Sequence, residues 1–236
     1  MVIGYLIVVV LAALALTRLP AVLTGKNLTV VLSALSIVAA FALITPGVYA
    51  ALDPLFPVPN ALDLVAKLLL FTGLLLAGSA VARAYDAPRT QRLVSGLPGT
   101  VVFIVLMLAE VGIFAAVHTG TPAPDLARNL GEPLVRLYST LATAYPAYIA
   151  ALLIPHVRAG LASSERSSRI TSRFLLVGFL LALVRFVVAL VTLVLPAAYS
   201  PGQVVSGVAA IAVALGLACA FFARVGRDRQ SQRRYS

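Results

Sequence analysis

Charge is the scarcest commodity in this sequence. Only 11% of its 236 residues are Asp, Glu, Lys or Arg, and just 8 are acidic, while 61% are hydrophobic. A soluble domain carries about a quarter charged residues and less than half apolar ones. Tryptophan is absent and cysteine occurs once. Cys219 therefore has no intramolecular disulfide partner and cannot supply a CxxC redox or zinc pair. The two histidines, His118 and His156, are too few for a histidine-rich metal centre. There is no glycine-rich phosphate loop, no HExxH and no GxSxG. These absences leave no expected cofactor, no metal site and no catalytic residue, and they argue against an enzyme. What remains is an all-α polytopic membrane protein.

A spanning helix needs about 20 mostly apolar residues, and seven segments meet or approach that. The first is Val2 to Leu16, extensible to Leu19 before Pro20. It opens without a basic stretch and ends in a poor cleavage site, so it reads as a retained helix. The second runs from Asn27 or Leu28 to about Ala51, with Thr45-Pro46-Gly47 as an outer kink. Ala61 to Ala84, Thr100 to Val117, Leu134 to Pro155, Phe174 to Leu195 and Val204 to Phe222 complete the set. The domain reading is one seven-helix unit over 1–223 and a short basic tail over 224–236.

The net charge of +10 has a topological explanation. With the N-terminus outside, Arg18, Lys26, Arg83, Arg89, Arg92, Arg158, Arg166, Arg169 and Arg173 fall on inner loops. Arg224, Arg227, Arg229, Arg233 and Arg234 fall on the inner tail. Only Arg128 and Arg136 fall outside, and Lys67 and Arg185 remain within spans. Every loop obeys the positive-inside rule. The expected location is the plasma membrane, C-terminus inside, with the tail arginines against anionic headgroups. Nucleic-acid binding is not needed to explain the charge, although the tail also suits a protein partner. The loop Leu52 to Asn60, with Pro54, Pro57 and Pro59, is expected to be a rigid connector.

An ionisable group at the bilayer centre costs roughly 2.5–3.5 kcal/mol even on lenient scales, so those inside spans need partners or a function. Asp63 and Lys67, four residues apart, share a helix face; either Lys67 snorkels back to Asp63 or both belong to a pathway. Glu110, at mid-span, must face the interior, be protonated or pair with a cation. Arg185 is the expected partner, because Gly178, Ala182, Ala189 and Thr192 form a stripe of small residues that turns its face to the bundle. The pair is either structural or part of a binding site. Tyr138, Tyr145 and Tyr148 share one face of the fifth helix. Tyr138 reads as interfacial belt, and Tyr145 and Tyr148 around Pro146 read as packing or as the wall of a hydrated cavity or hinge. His118 reads as a helix-end cap and Cys219 as a packing residue. Ala212, Gly216 and Ala220 form a second small-residue stripe, for internal packing or a homo-oligomer.

Seven spans with an outer N-terminus invite comparison with rhodopsins, but the seventh segment has no lysine for a retinal Schiff base. The stretch Ile44 to Leu70 is more informative. Its Thr45-Pro46, Val48-Tyr49, Leu52-Asp53 and Val58-Pro59-Asn60 resemble a family of actinobacterial membrane proteins usually labelled transporters. The resemblance implies a seven-helix fold and brings no catalytic residue. Members of that family carry a longer cytoplasmic tail than the dozen or so residues that follow the seventh segment here. The expected function is translocation of a small molecule or ion through a polar centre between helices three and six, built from Asp63, Lys67, Glu110, Tyr145, Tyr148 and Arg185. A sensor or regulatory subunit, or a structural partner in a membrane complex, acting through the basic inner face, is the alternative.

Overall fold

In an apolar medium every backbone N–H and C=O must be satisfied within its own segment, and the helix does this locally. The computed structural model describes residues 28–117 and 124–234, together with Val8, Val9, Ala12 and Ala13, with side chains for all of these but Asp125 and 221–234. From residue 28 on, the described helices are α1 (Leu28–Leu43), α2 (Pro46–Leu52), α3 (Ala61–Ala84), α4 (Pro88–Ser95), α5 (Leu97–Ala116), α6 (Pro133–Gly160), α7 (Arg166–Val194) and α8 (Tyr199–Arg234). Short 3₁₀ turns lie at Asp53–Leu55, Pro124–Asn129 and Pro196–Ala198. Among the described residues there is no strand. Among the described residues five stretches are long and apolar enough to cross a membrane, and a sixth if α1 and α2 count as one broken span. The expected first segment lies outside the described residues except at Val8, Val9, Ala12 and Ala13, which are helical; His118 lies outside them altogether.

The helices differ from the expected segments in instructive ways. The outer kink of the second segment is a turn of 81° between α1 and α2. Thr45, preceding Pro46, cannot easily stay helical; it is extended at φ −68°, ψ 129°, and its hydroxyl donates back to the Phe41 carbonyl at 3.0 Å. Arg89 and Arg92 lie on α4, an amphipathic helix where a loop was expected, which buries Thr90 and Val94. Pro146 and Pro155 are both inside α6, which runs through them as one helix. No break separates the seventh segment from the tail, since α8 stays helical to Arg234.

α1 packs antiparallel on α3, α6 on α7 and α7 on α8, whereas α3 and α6 run parallel, with α5 resting on α3, α4 and α6. Ser33 donates to the Gly73 carbonyl at 2.8 Å, and a side chain at Gly73 would strike Ile37 at 2.6 Å. Likewise a side chain at Gly178 would strike Val213 at 2.5 Å, and one at Gly216 would meet Leu175 at 2.8 Å. Ala212 and Gly216 are buried and Ala220 is exposed, so the second small-residue stripe serves internal packing between α7 and α8 over most of its length. Cys219 is half-buried. One end of the bundle, here the Asn60 end, carries the starts of α3 and α6 and the end of α7. The other, the Gly160 end, carries their opposite termini and α4. The main core, around Phe71, Tyr145, Ile149, Leu153 and Phe179, lies between the two.

Candidate functional site

The Asn60 end is built on a knot at the start of α3. Asn60 takes the left-handed backbone (φ 64°), which Asn tolerates better than most residues. The Asp53 carboxylate accepts from the Asn60 N–H at 3.1 Å and the Leu62 N–H at 3.4 Å. The Tyr49 hydroxyl donates to the Asn60 side-chain carbonyl at 2.8 Å. All three side chains are buried. The proline loop is thus tied to α3 through Asp53, whose carboxylate caps orphan helix donors.

This knot aims the first turn of α3 into the bundle. Lys67 Nζ meets Asp63 at 3.0 Å and lies 3.4 Å from the centre of the Tyr138 ring. Asp63 is 1% exposed, Lys67 7% and Tyr138 0%. Lys67 therefore does not snorkel to open water; a carboxylate on its own helix and an aromatic face on α6 enclose it. Tyr138 is consequently not interfacial belt but the floor of the ion pair, backed by Phe114 at 6.2 Å and by the buried Leu126 and Val135.

Glu110 is fully buried, on a helix of which only 11% of the apolar span is buried. It continues one stripe down α5. Phe103 and Met107 pack on the Tyr145 core, and Ile113, Phe114 and Val117 pack on the Tyr138 cluster. Spacings of three and four place Glu110 on that same face. It therefore points to α3 and α6 at the level bracketed by Lys67–Tyr138 above and Phe71–Tyr145 below.

Arg185 is 5% exposed. Its Nε donates to Ser206 on α8 at 3.0 Å, and Gly202 lies so close that a side chain there would meet the guanidinium at 3.0–3.1 Å. Gly178, Ala189 and Thr192 of its stripe are buried with it, and the Ala189 carbonyl accepts from Thr140 on α6 at 3.0 Å. Ser206 sits in an apolar segment and gave no sequence signal of its own. The packing of Arg185 is toward α8, whereas that of Glu110 is toward α3 and α6.

A cavity of about 1120 Å³ runs between α1, α3, α6, α7 and α8. Asp63, Lys67, Ser139, Thr143, Arg185 and Ser206 line it toward the Asn60 end; Arg83, Tyr85, Glu165 and Thr171 line it toward the Gly160 end. Ala142 and Pro146 both face it, and Pro146 has no N–H to offer the Ala142 carbonyl. Among the described lining residues Glu110, Tyr145 and Tyr148 do not occur.

The tyrosines of α6 are not among the residues that line this cavity. Tyr145 packs against Phe71 at 5.1 Å, Phe103 at 5.6 Å and Tyr148 at 6.2 Å, and its buried hydroxyl has no hydrogen-bond partner among the described residues. Tyr148 donates to the Leu93 carbonyl of α4, stapling the Gly160 end. There, too, Thr90 meets His156 at 2.7 Å and Tyr85 meets Ser172 at 2.8 Å. Burial pushes the Tyr85 phenol above its ordinary value, and the Ser172 hydrogen bond offsets part of the rise. Among the described residues no group of three His, Cys, Asp or Glu could hold a metal ion. Comparison with family models, with curated proteins and with solved structures finds no match to this chain.

Proposed function

We propose that this chain is a seven-span protein of the plasma membrane, N-terminus outside, that carries a small molecule or ion along the cavity between α1, α3, α6, α7 and α8. The carrying observation is that a single cavity reaches from the Asn60 end to the Gly160 end with Asp63, Lys67 and Arg185 on its walls. Charges held at such depth are costly, and a solute path is the use that repays them. The loop arginines assign the Gly160 end to the cytoplasm. The resemblance of Ile44–Leu70 to proteins labelled transporters agrees with this reading.

Cysteine accessibility tests it without a known substrate. In a Cys219→Ala background, Ser139→Cys and Ser206→Cys should react with a membrane-impermeant maleimide added outside, and Thr171→Cys with the same reagent added inside. Leu108→Cys, on the exposed face of α5, should stay inert in lipid. If the three cavity positions are as inert as Leu108→Cys, there is no aqueous path. A reporter fused after Arg234 should be cytoplasmic and one inserted near Pro122 outside; the same side for both would overturn the span count.

One observation supports a sensor instead. Ser206, the partner of Arg185, lies on a helix that continues without interruption to Arg234, about 42 Å further at 1.5 Å per residue. Such a rod would couple the cavity to the basic tail. Spin labels on the tail and on the 161–165 turn should then change separation in Arg185→Gln; an unchanged distance removes this reading.

A further inference from the structure

We propose that α4 and the outward face of α5 seat one anionic phospholipid from the leaflet at the Gly160 end. This goes beyond the transport reading and rests only on the chain being a membrane protein. α4 and α5 together form one apolar stretch, Pro88–Ala116. Thr90 and Val94 turn α4 inward, which leaves Arg89, Arg92 and Leu93 exposed on its opposite side. Among the described residues neither guanidinium is joined to a carboxylate or to any hydrogen-bond acceptor. A third cation stands across the seam between α3 and α4. Arg83, also exposed, donates to Ser79 at 3.0 Å, and Ser79 donates to Ser95 of α4 at 3.4 Å. Ser95 lies three residues past Arg92, so the two are neighbours on the helix surface. Asp86 is the one acidic residue from Arg83 to Arg92, which leaves three cations against one anion. A guanidinium pairs with phosphate oxygens in a two-pronged fork, and a membrane supplies that phosphate at this depth.

The apolar half of the seat follows directly. Gly96 ends α4 in an extended conformation, and α5 begins at once with Leu97, 81% exposed. Val101, Val105 and Leu108 are exposed beyond it, at spacings of four, four and three along one helix face. From Leu97 to Val105 this ridge is about 12 Å long, most of half the roughly 30 Å hydrocarbon core. An acyl chain below a head held at Arg89 and Arg92 lies along it. The head site is also fixed in place. Thr90 meets His156 at 2.7 Å and Tyr148 donates to the Leu93 carbonyl, so α4 is bound to α6 on its inner side. A fixed site loses little freedom when it binds. Arg173 of α7 gives the contrast: it is exposed beside Phe174 and Val177, while Arg169, four residues before it, is turned to the Ser163 and Ser164 carbonyls. Diffuse attraction between inner arginines and acidic headgroups would treat both faces alike, whereas a seat of clustered guanidiniums would not.

The test uses the purified full chain, stripped of lipid in a mild non-ionic detergent and titrated with dioleoyl phosphatidylglycerol or dioleoyl phosphatidylcholine under native mass spectrometry. One phosphatidylglycerol should be held about tenfold more tightly than phosphatidylcholine, whose choline brings a cation against the guanidiniums. Arg89→Gln combined with Arg92→Gln should weaken phosphatidylglycerol by about tenfold and leave phosphatidylcholine unchanged. Both side chains are exposed, so the variant keeps its packing. Arg173→Gln should change neither affinity. Glycerophosphoglycerol, the head without its chains, should not compete. Equal affinity for the two lipids in the unmodified protein, a comparison that needs no variant, would overturn head recognition. An equal loss in Arg173→Gln would replace the seat by a diffuse annulus, and competition by glycerophosphoglycerol would overturn the acyl ridge. The cysteine labelling reads a different part of the molecule: inert cavity cysteines with bound phosphatidylglycerol would discard the path and keep the seat, and reactive cysteines without lipid selectivity would do the reverse.

Discussion

At the Asn60 end of the bundle the buried polar groups include charged ones, and the ion pair among them is made within one helix: Asp63 and Lys67, four residues apart. At the Gly160 end the polar contacts are made by hydroxyls, a carbonyl and an imidazole, part-buried or at the surface, and they pair positions that are distant in sequence: Tyr85 with Ser172, Thr90 with His156, Tyr148 with Leu93. A local ion pair satisfies its charges without fixing where neighbouring helices lie. A hydroxyl bonded across two helices sets their separation, at a net gain of only about 1 kcal/mol. The Asn60 end therefore holds its costliest contact inside one helix, while single bonds, Thr140 to the Ala189 carbonyl and Arg185 to Ser206, join α6 to α7 and α7 to α8 there. The Gly160 end is cheap to disrupt at any one contact but pinned at many.

That contrast fails or sharpens under substitution. The largest effect belongs to Asp63→Leu, which strands Lys67 under the Tyr138 ring in a buried site. Breaking one half of a buried pair costs about 3–5 kcal/mol, read as lost thermal stability of the detergent-purified protein. The Asp63→Leu, Lys67→Leu double variant should recover most of the loss; if it recovers none, the pair is not the unit. Next comes Gly160→Leu, whose side chain would run into Ser172 and into Tyr85 at 2.7 Å. Overpacking of this kind costs about 1–3 kcal/mol. A smaller loss, about 1 kcal/mol, follows from Tyr85→Phe, and Ser172→Ala added to it should cost little more, because one hydrogen bond serves both. Should Tyr85→Phe cost as much as Asp63→Leu, the two ends do not differ as described.

The smallest effect is a pH dependence. The folded state holds the Tyr85 phenol neutral above its ordinary pKa, so its share of stability is complete below about pH 10 and is lost as pH rises through the folded value. Thermal melts between about pH 9 and 11 should fall less steeply for Tyr85→Phe than for the unmodified chain. Equal slopes would mean that this phenol is no more buried than in the unfolded chain.

How much of this was legible beforehand depends on the kind of signal each residue gives. Long apolar runs announce helices, and rare ionisable groups inside them announce themselves, so Asp63, Lys67, Glu110 and Arg185 stood out before any coordinates. Their partners did not. Ser206 is an unexceptional serine in an alanine-rich span, and only the crossing of α7 and α8 brings it to Arg185. Tyr138 reads from sequence as interfacial belt, yet depth matching points to its partner: it lies five residues into α6 and Lys67 six into α3, on parallel helices entered from the same end. Asp53 and Asn60 were assigned to a rigid loop, which their hydrogen bonds support, but their burial was not foreseen. A carboxylate that caps backbone N–H groups leaves no periodic trace. For the tyrosines around Pro146 the sequence leaves packing and a cavity wall both open, since a polar residue beside a helix-interior proline suits either; in the fold α6 runs unbroken and Tyr145 packs among aromatic rings.

The narrow contact of α5 has a consequence for biogenesis. In a bilayer, a stretch this apolar is stable in lipid before it touches any neighbour, and its outward residues Val101, Val105 and Leu108 stay exposed in the finished bundle. Glu110 is its only acid, and the docked helix buries that side chain completely. An undocked α5 would leave that carboxyl in contact with lipid, at a cost of roughly 2.5–3.5 kcal/mol. One acidic residue on an otherwise apolar helix thus favours the docked arrangement over the free one.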